Sequence, residues 1–237
     1  VEIKWEPTGP LLAGGLTHIA ISKSSPEEIY AGYDANDMSI WKSNDSGTSW
    51  RQSHANAHVS GLAVHPVKSN VAVYSVLENL VFRTEDGGET WDEALRLPGA
   101  FRDKSFTAVS FAQSEPYTIY AAASNVRDRG PITAPSDIMA SSDLGITWST
   151  IGQCSTCGAI HTVRVGRQSP RTIFIAGSGG IHSSTDGGET WVRLSVVPSI
   201  GLDLDPQNES ILLAATRERG VFRSEDNGNS WVDSSTG

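Results

Sequence analysis

Short apolar runs recur along the whole chain, each bounded by Ser, Asn, Asp, Gly or Pro. Ile19-Ala20-Ile21, Leu62-Ala63-Val64, Val109-Ser110-Phe111, Val163-Arg164-Val165 and Leu202-Asp203-Leu204 open five similar units. About eight residues later comes a second run: Ile29–Gly32, Val71–Ser75, Ile119–Ala122, Ile173–Gly177 and Ile211–Ala215. Turn residues lie between the two, as in Ser25-Pro26, His65-Pro66, Glu115-Pro116, Ser169-Pro170 and Asp205-Pro206. A third run follows at Ser39–Lys42, Leu80–Arg83, Asp137–Ala140, Gly180–His182 and Gly220–Arg223. Short β-branched and aromatic runs between turn signals predict strands, and no apolar set at i, i+3, i+4, i+7 competes for a helix.

Each third run leads into the same octet, S/T-x-D-x-G-x-x-W, at Ser43–Trp50, Thr84–Trp91, Ser141–Trp148, Ser184–Trp191 and Ser224–Trp231. The Trp residues are spaced 41, 57, 43 and 40 apart. Asp and Ser/Thr side chains accept hydrogen bonds from nearby backbone N–H groups. Gly supplies a positive φ. Trp opens a fourth strand and covers apolar surface. Asp45, Asp86, Asp143, Asp186 and Asp226, with Trp50, Trp91, Trp148, Trp191 and Trp231, are therefore read as turn formers, not metal ligands or catalysts. Four short antiparallel strands per repeat of about 40 residues predict an all-β propeller with five four-stranded blades. The expected organisation is a single domain over residues 1–237, with blades near 16–57, 58–99, 106–153, 160–196 and 199–235 and an extra N-terminal strand and lead-in over 1–15.

These octets resemble the BNR or Asp-box repeat family, from about Thr17 to Trp231. The resemblance implies a toroid of blades, shared by sialidases, sortilin-type receptors, xyloglucanases and photosystem II stability and assembly factors. It does not imply one activity. Sialidases also carry an Arg-Ile-Pro segment, and none occurs here. Val1–Trp5 reads as a spare fourth strand. Two arrangements follow from it: a closed five-bladed ring, which is favoured, or part of a larger ring. Val1 replaces an initiator Met and no signal peptide is visible, so the chain reads as processed, trimmed or a fragment.

The net charge of −9 argues against a nucleic-acid or anionic-membrane partner. No apolar run reaches the length of a membrane span. Function is expected in loops of the face opposite the octets. Ligand-binding candidates there are Arg127, Arg129, Arg217 and Arg219, a guanidinium set suited to carboxylates or phosphates. His54, His58 and Arg102 join them from segments linking blades. Asp128, Glu218, Asp34, Asp37 and Glu78 share the second-to-third-strand loops, so a solvated mixed-charge rim is the competing interpretation. His18 and His161 open innermost strands near the channel mouth. Asp203 and Arg164 read as a buried structural ion pair.

Cys154-Ser155-Thr156-Cys157 is a C-x-x-C with no second pair, and no βαβ setting surrounds it. A local disulfide in an oxidising compartment is the expectation, with two reduced thiols the alternative. No cofactor, metal or catalytic residue is assigned. The function expected is that of a non-catalytic, extracytoplasmic binding or scaffold module for a protein or a carbohydrate. A glycan-active hydrolase, or a fragment of one, is the alternative; its carboxylates would come from Asp34, Asp37, Glu78, Asp137 or Asp203. A photosystem-assembly-like factor is a third.

Overall fold

A computed structural model describes residues 14–35, 39–55, 58–77, 79–97, 104–125 and 134–235. These form five four-stranded antiparallel sheets, with no helix among the described residues. Blade 1 comprises β1 (Gly14–Ile21), β2 (Ile29–Ala35), β3 (Ser39–Ser43) and β4 (Arg51–Ala55). Blade 2 comprises β5 (Val59–Val64), β6 (Ala72–Val76), β7 (Leu80–Thr84) and β8 (Asp92–Arg96). Blade 3 comprises β9 (Ser105–Phe111), β10 (Ile119–Ser124), β11 (Ser136–Ser141) and β12 (Ser149–Cys154). Blade 4 comprises β13 (Ile160–Val165), β14 (Ile173–Gly177), β15 (Gly180–Ser184) and β16 (Val192–Ser195). Blade 5 comprises β17 (Ser199–Leu204), β18 (Leu212–Thr216), β19 (Val221–Ser224) and β20 (Val232–Asp233).

The octets are the outer hairpin turns, each locked by the same hydrogen bonds. In blade 4 the buried Ser184 Oγ accepts from Gly188 N at 2.8 Å and donates to Asp186 Oδ1 at 2.7 Å. The Asp186 carboxylate then accepts from Thr190 N at 3.0 Å and from the Thr190 hydroxyl at 2.5 Å. Ser43, Thr84, Ser141 and Ser224 repeat the arrangement. Two successive residues are left-handed in every box: Ser46–Gly47, Gly87–Gly88, Leu144–Gly145, Gly187–Gly188 and Asn227–Gly228. The position before the box Gly therefore carries positive φ too, and even Leu144 accepts it, because the box overdetermines the turn. Four of the five Trp indoles donate to the box Gly carbonyl, at 2.9–3.1 Å. Trp91 donates instead to Ser53 Oγ of the preceding blade, at 3.0 Å. Each fourth strand begins one residue after the Trp, not at it.

The first strands pack side by side, β1 on β5, β5 on β9, β9 on β13 and β13 on β17. Four apolar clusters fill the spaces between successive blades. Tyr30, Ile40, Tyr74 and Val76 join blades 1 and 2. Val73, Phe106, Phe111 and Ile119 join blades 2 and 3. Ala108, Ile138, Ile160 and Val163 join blades 3 and 4, and Phe174, Ile181, Leu202 and Leu212 join blades 4 and 5. Close approach needs small residues: a Cβ on Gly152 of β12 would meet the Gly188 carbonyl oxygen of the next blade at 2.0 Å.

Among the described residues no such cluster, and no comparable strand packing, links blade 5 to blade 1. The consequence is visible at one repeat position. Val109, Val163 and Leu202 are 5%, 1% and 3% exposed, whereas the matching Ile19 of β1 is 56% exposed. Apolar surface of β1 and of blade 5 (Leu16, Ile21, Leu213) stands open as well.

Candidate functional site

A β-bulge recurs where each first strand pairs with its second, leaving Thr17, Ser60, Thr107, His161 and Ile200 unpaired in turn. Bulges re-aim a side chain. In the first three blades a hydroxyl stands there and returns to the backbone: Thr17 Oγ1 donates to Gly32 O at 3.2 Å and Ser60 Oγ to Phe106 O at 2.7 Å. In blades 4 and 5 the bulged residues are His161 and Ile200, and both line an open cavity of about 620 Å³.

That cavity lies between blades 4 and 5 on the face opposite the Asp boxes. Ser178 of the β14–β15 turn, Val197 and Pro198 of the β16–β17 link, and Thr216–Arg219 of the β18–β19 turn complete its wall. Thr216 fastens its own turn, accepting from Arg219 N at 2.9 Å and donating to Gly220 O at 3.0 Å. Gly220 makes the reversal with φ 73°. Arg217, Arg219 and His161 thus converge on one concavity, beside Glu218. His161 is exposed at the cavity, where partial desolvation and then the Arg217 guanidinium push its imidazole below the ordinary range. Two guanidinium groups and an imidazole suit an anionic or polyhydroxylated group, with Pro198 and Ile200 as exposed apolar lining.

The remaining candidates are dispersed. Arg127, Arg129 and Arg102 lie outside the described residues, as do Asp128, Asp37 and Glu78. His54 lies within β4 and is not in a loop; its Nδ1 hydrogen-bonds the Tyr74 hydroxyl and its ring stacks on Trp91 and meets Phe82 edge-on. Burial pushes its pKa down. His58 sits between blades 1 and 2, its carbonyl accepting from Leu77 N at 3.2 Å. The geometry therefore brings together Arg217, Arg219 and His161, and separates His54 and His58 from them.

The carboxylates named for hydrolysis are engaged where their side chains are described. Asp137 is buried, taking Lys104 Nζ at 2.5 Å and Gln153 Nε2 at 2.6 Å. Asp203 meets Arg164 at 3.2 Å across blades, but the pair is exposed and not buried, because both side chains turn toward the axial opening. Lys23, Gln113 and Arg167 share that opening, of about 230 Å³, and Lys23 reaches Gln113 at 2.7 Å. The Asp-box carboxylates are held well below the ordinary range by their own box: Asp45, Asp143 and Asp226 sit at about 2.

Sequence reasoning missed two features. A groove of about 570 Å³ on the Asp-box face, between blades 3 and 4, is lined by Trp148, Tyr120, Glu115 and Arg171. His182 of β15 lies against Cys154 and Cys157, which form a disulfide. No local signal marks either, since both arise where two blades meet.

A family model described as "Sortilin, neurotensin receptor 3" (Sortilin-Vps10) matches residues 38–178. No curated protein matches the chain. The structure is similar to that of an ancestral GH74 enzyme, with TM-score 0.74 and 19% identity over 98% of this chain and 32% of the enzyme. It is similar to the GH74 xyloglucanase from Xanthomonas campestris, with TM-score 0.71 and 17% identity over 92% of this chain and 38% of that one. YCF48 bound to D1 peptide aligns with TM-score 0.48 and 13% identity over 93% of this chain and 82% of that one. The chain spans about a third of the length of the GH74 proteins, and at such identities the likeness is one of fold.

Proposed function

The chain belongs to the Sortilin-Vps10 family, and on that premise we propose that it is a binding or scaffold propeller, recognising a protein or a glycan through the face opposite its Asp boxes. The observation that carries this is the cavity between blades 4 and 5. The bulge position that holds a backbone-bonded hydroxyl in blades 1–3 carries His161 in blade 4 and Ile200 in blade 5, beside Arg217 and Arg219. A change of residue type at a structural bulge, with no local structural need for it, fits ligand contact. Carboxylate or hydroxyl groups of the ligand meet the guanidinium groups, and its apolar part meets Ile200 and Pro198. The Cys154–Cys157 disulfide supports work outside the cytoplasm, where such bonds persist. We assign residues 1–237 to one propeller domain and no catalytic role to Asp137 or Asp203, which are already paired.

The test is binding of the purified chain to a broad glycan array and, in parallel, affinity capture from a candidate protein extract. Reproducible binding that Arg217→Ala and Arg219→Ala remove, with unchanged circular dichroism, supports the proposal. Binding untouched by both substitutions moves the site elsewhere. Release of reducing sugar from a bound polysaccharide would replace the proposal by the hydrolase reading.

A further inference from the structure

We propose that Cys154, Cys157 and His182 form a redox-gated site for a thiophilic divalent cation such as zinc, which opens when the disulfide is reduced. Both sulfurs and one ring nitrogen of His182 lie within 4.8 Å of one another, and all three residues are buried. The cysteines come from the end of β12 and the blade 3–blade 4 link, and His182 from the centre of β15 in the next blade. The site therefore sits in an inter-blade seam. The turn Ser178–Gly180 is pressed against the cysteine loop: Gly179 N donates to Cys157 O at 2.9 Å, and a Cβ on Gly179 would strike the Thr156 carbonyl oxygen at 2.0 Å. The loop is thus held over His182 by backbone contacts that do not depend on the disulfide.

His182 is prepared for ligation in a way that a disulfide does not require. Its Nε2 hydrogen-bonds the exposed Thr156 hydroxyl at 2.9 Å. Its Nδ1 is buried without a hydrogen-bond partner. With the proton on Nε2, the neutral ring keeps a lone pair on Nδ1, and one nitrogen anchored while the other is left to bind is the usual state of a ligating histidine. No side chain satisfies that buried nitrogen, which leaves it open to a metal ion. Arg193 of β16 stands opposite His182 of β15 in the same sheet. Arg193 opposes a bare cation there, but two thiolates bring two negative charges. The C-x-x-C spacing, with its 5.5 Å Cα–Cα separation, serves a disulfide and a tetrahedral sulfur pair alike.

The step balances as follows. A dithiol gives two electrons and two protons to the S–S bond, which breaks to two thiols as the dithiol becomes a disulfide. The cation then displaces both thiol protons to solvent. His182 donates its lone pair, and a water entering beside Thr156 fills the fourth position. Sulfur and nitrogen donors select zinc over calcium or magnesium.

The experiment uses the whole chain, reduced anaerobically with a phosphine, which becomes its oxide with oxygen from water; alkylation mass shift verifies two thiols. Cobalt(II) serves as the spectroscopic probe. One cobalt per chain, with sulfur-to-metal charge transfer in the near ultraviolet and tetrahedral bands in the visible, is the expected result. Oxidised protein should show neither. His182→Gln and Cys154→Ser should lose the bands, and Thr156→Ala should weaken binding about 10- to 100-fold through loss of ring orientation. If the phosphine does not reach the buried bond, the chain is unfolded, reduced and refolded with zinc or with a chelator. Zinc should then protect both thiols from alkylation. A reduced, folded chain that holds no cobalt, equal binding by His182→Gln, or thiols that stay open to alkylation after refolding with zinc would overturn the proposal.

Discussion

Replacing Phe111 by Ala and Ile21 by Ala alters the same repeat position in two different surroundings. Both residues end the first strand of a blade and pair with an isoleucine that opens the second, Ile119 and Ile29 respectively. Phe111 is 2% exposed, packed with Phe106 and Leu144 between blades 2 and 3. Ile21 is 54% exposed on β1, which has no blade before it among the described residues. A buried Phe→Ala change removes transfer energy and leaves a cavity, at a cost of about 3–5 kcal/mol. Fully burying an isoleucine is worth roughly 1.5–3 kcal/mol, and Ile21 has about half of that to lose, so roughly 1 kcal/mol. At about 2–4 °C per kcal/mol for a chain of this size, the expected Tm losses are roughly 10 °C and roughly 3 °C. Scanning calorimetry and urea titration measure both. Equal losses would refute the reasoning, by showing that the β1 face is covered in solution. A neutral Phe111→Ala would refute the inter-blade core itself.

Two further outcomes test the boxes and the buried imidazole. Ser184→Ala should destabilise by about 1–3 kcal/mol, because it strands the buried N–H of Gly188, whereas replacement by Thr, which occupies the matching position at Thr84, should be nearly silent in urea titration. Stability should also fall with pH in two steps. His182 is held at about 4, and burial depresses His54, His65 and His161 too, so the unfolded chain takes up these protons first, and stability present above the ordinary value near 6.5 is lost as pH falls toward 4, with His182 contributing one share of the step. The Asp-box carboxylates are depressed too, so their contribution is present above the ordinary value near 3.8 and lost as pH falls toward 2. Tm against pH measures both. A His182→Gln profile with an unchanged upper step removes the assignment to that residue, and a Tm that holds constant from pH 4 to pH 2 removes the second step.

The architecture was legible because it is local. Each octet closes its hairpin through side-chain bonds within a few residues, Ser184 to Gly188 and Asp186 to Thr190, so a window of eight residues contains both partners. Strand alternation and the Pro-marked inner turns are also short-range, and together they yielded five blades of four strands. The second left-handed residue of the box was not legible: Ser46, Leu144 and Asn227 share no residue type, and the turn's geometry alone demands the conformation.

What lies between blades needed the tertiary structure. His54 looked like a loop ligand beside His58, yet the blade 2 aromatics Tyr74, Phe82 and Trp91 draw it into a seam. Arg217 and Arg219 were visible as charges, but their convergence with His161 and Ile200 depends on two bulges in adjacent blades and on the angle between those blades. His182 carried no signal at all, since its closeness to Cys154 and Cys157 comes from packing one sheet on the next. Local hydrogen bonding determines each blade, so the chain's order of residues suffices to specify it. Sites form from side chains of different blades, and the stacking of sheets through their apolar faces decides which of them meet.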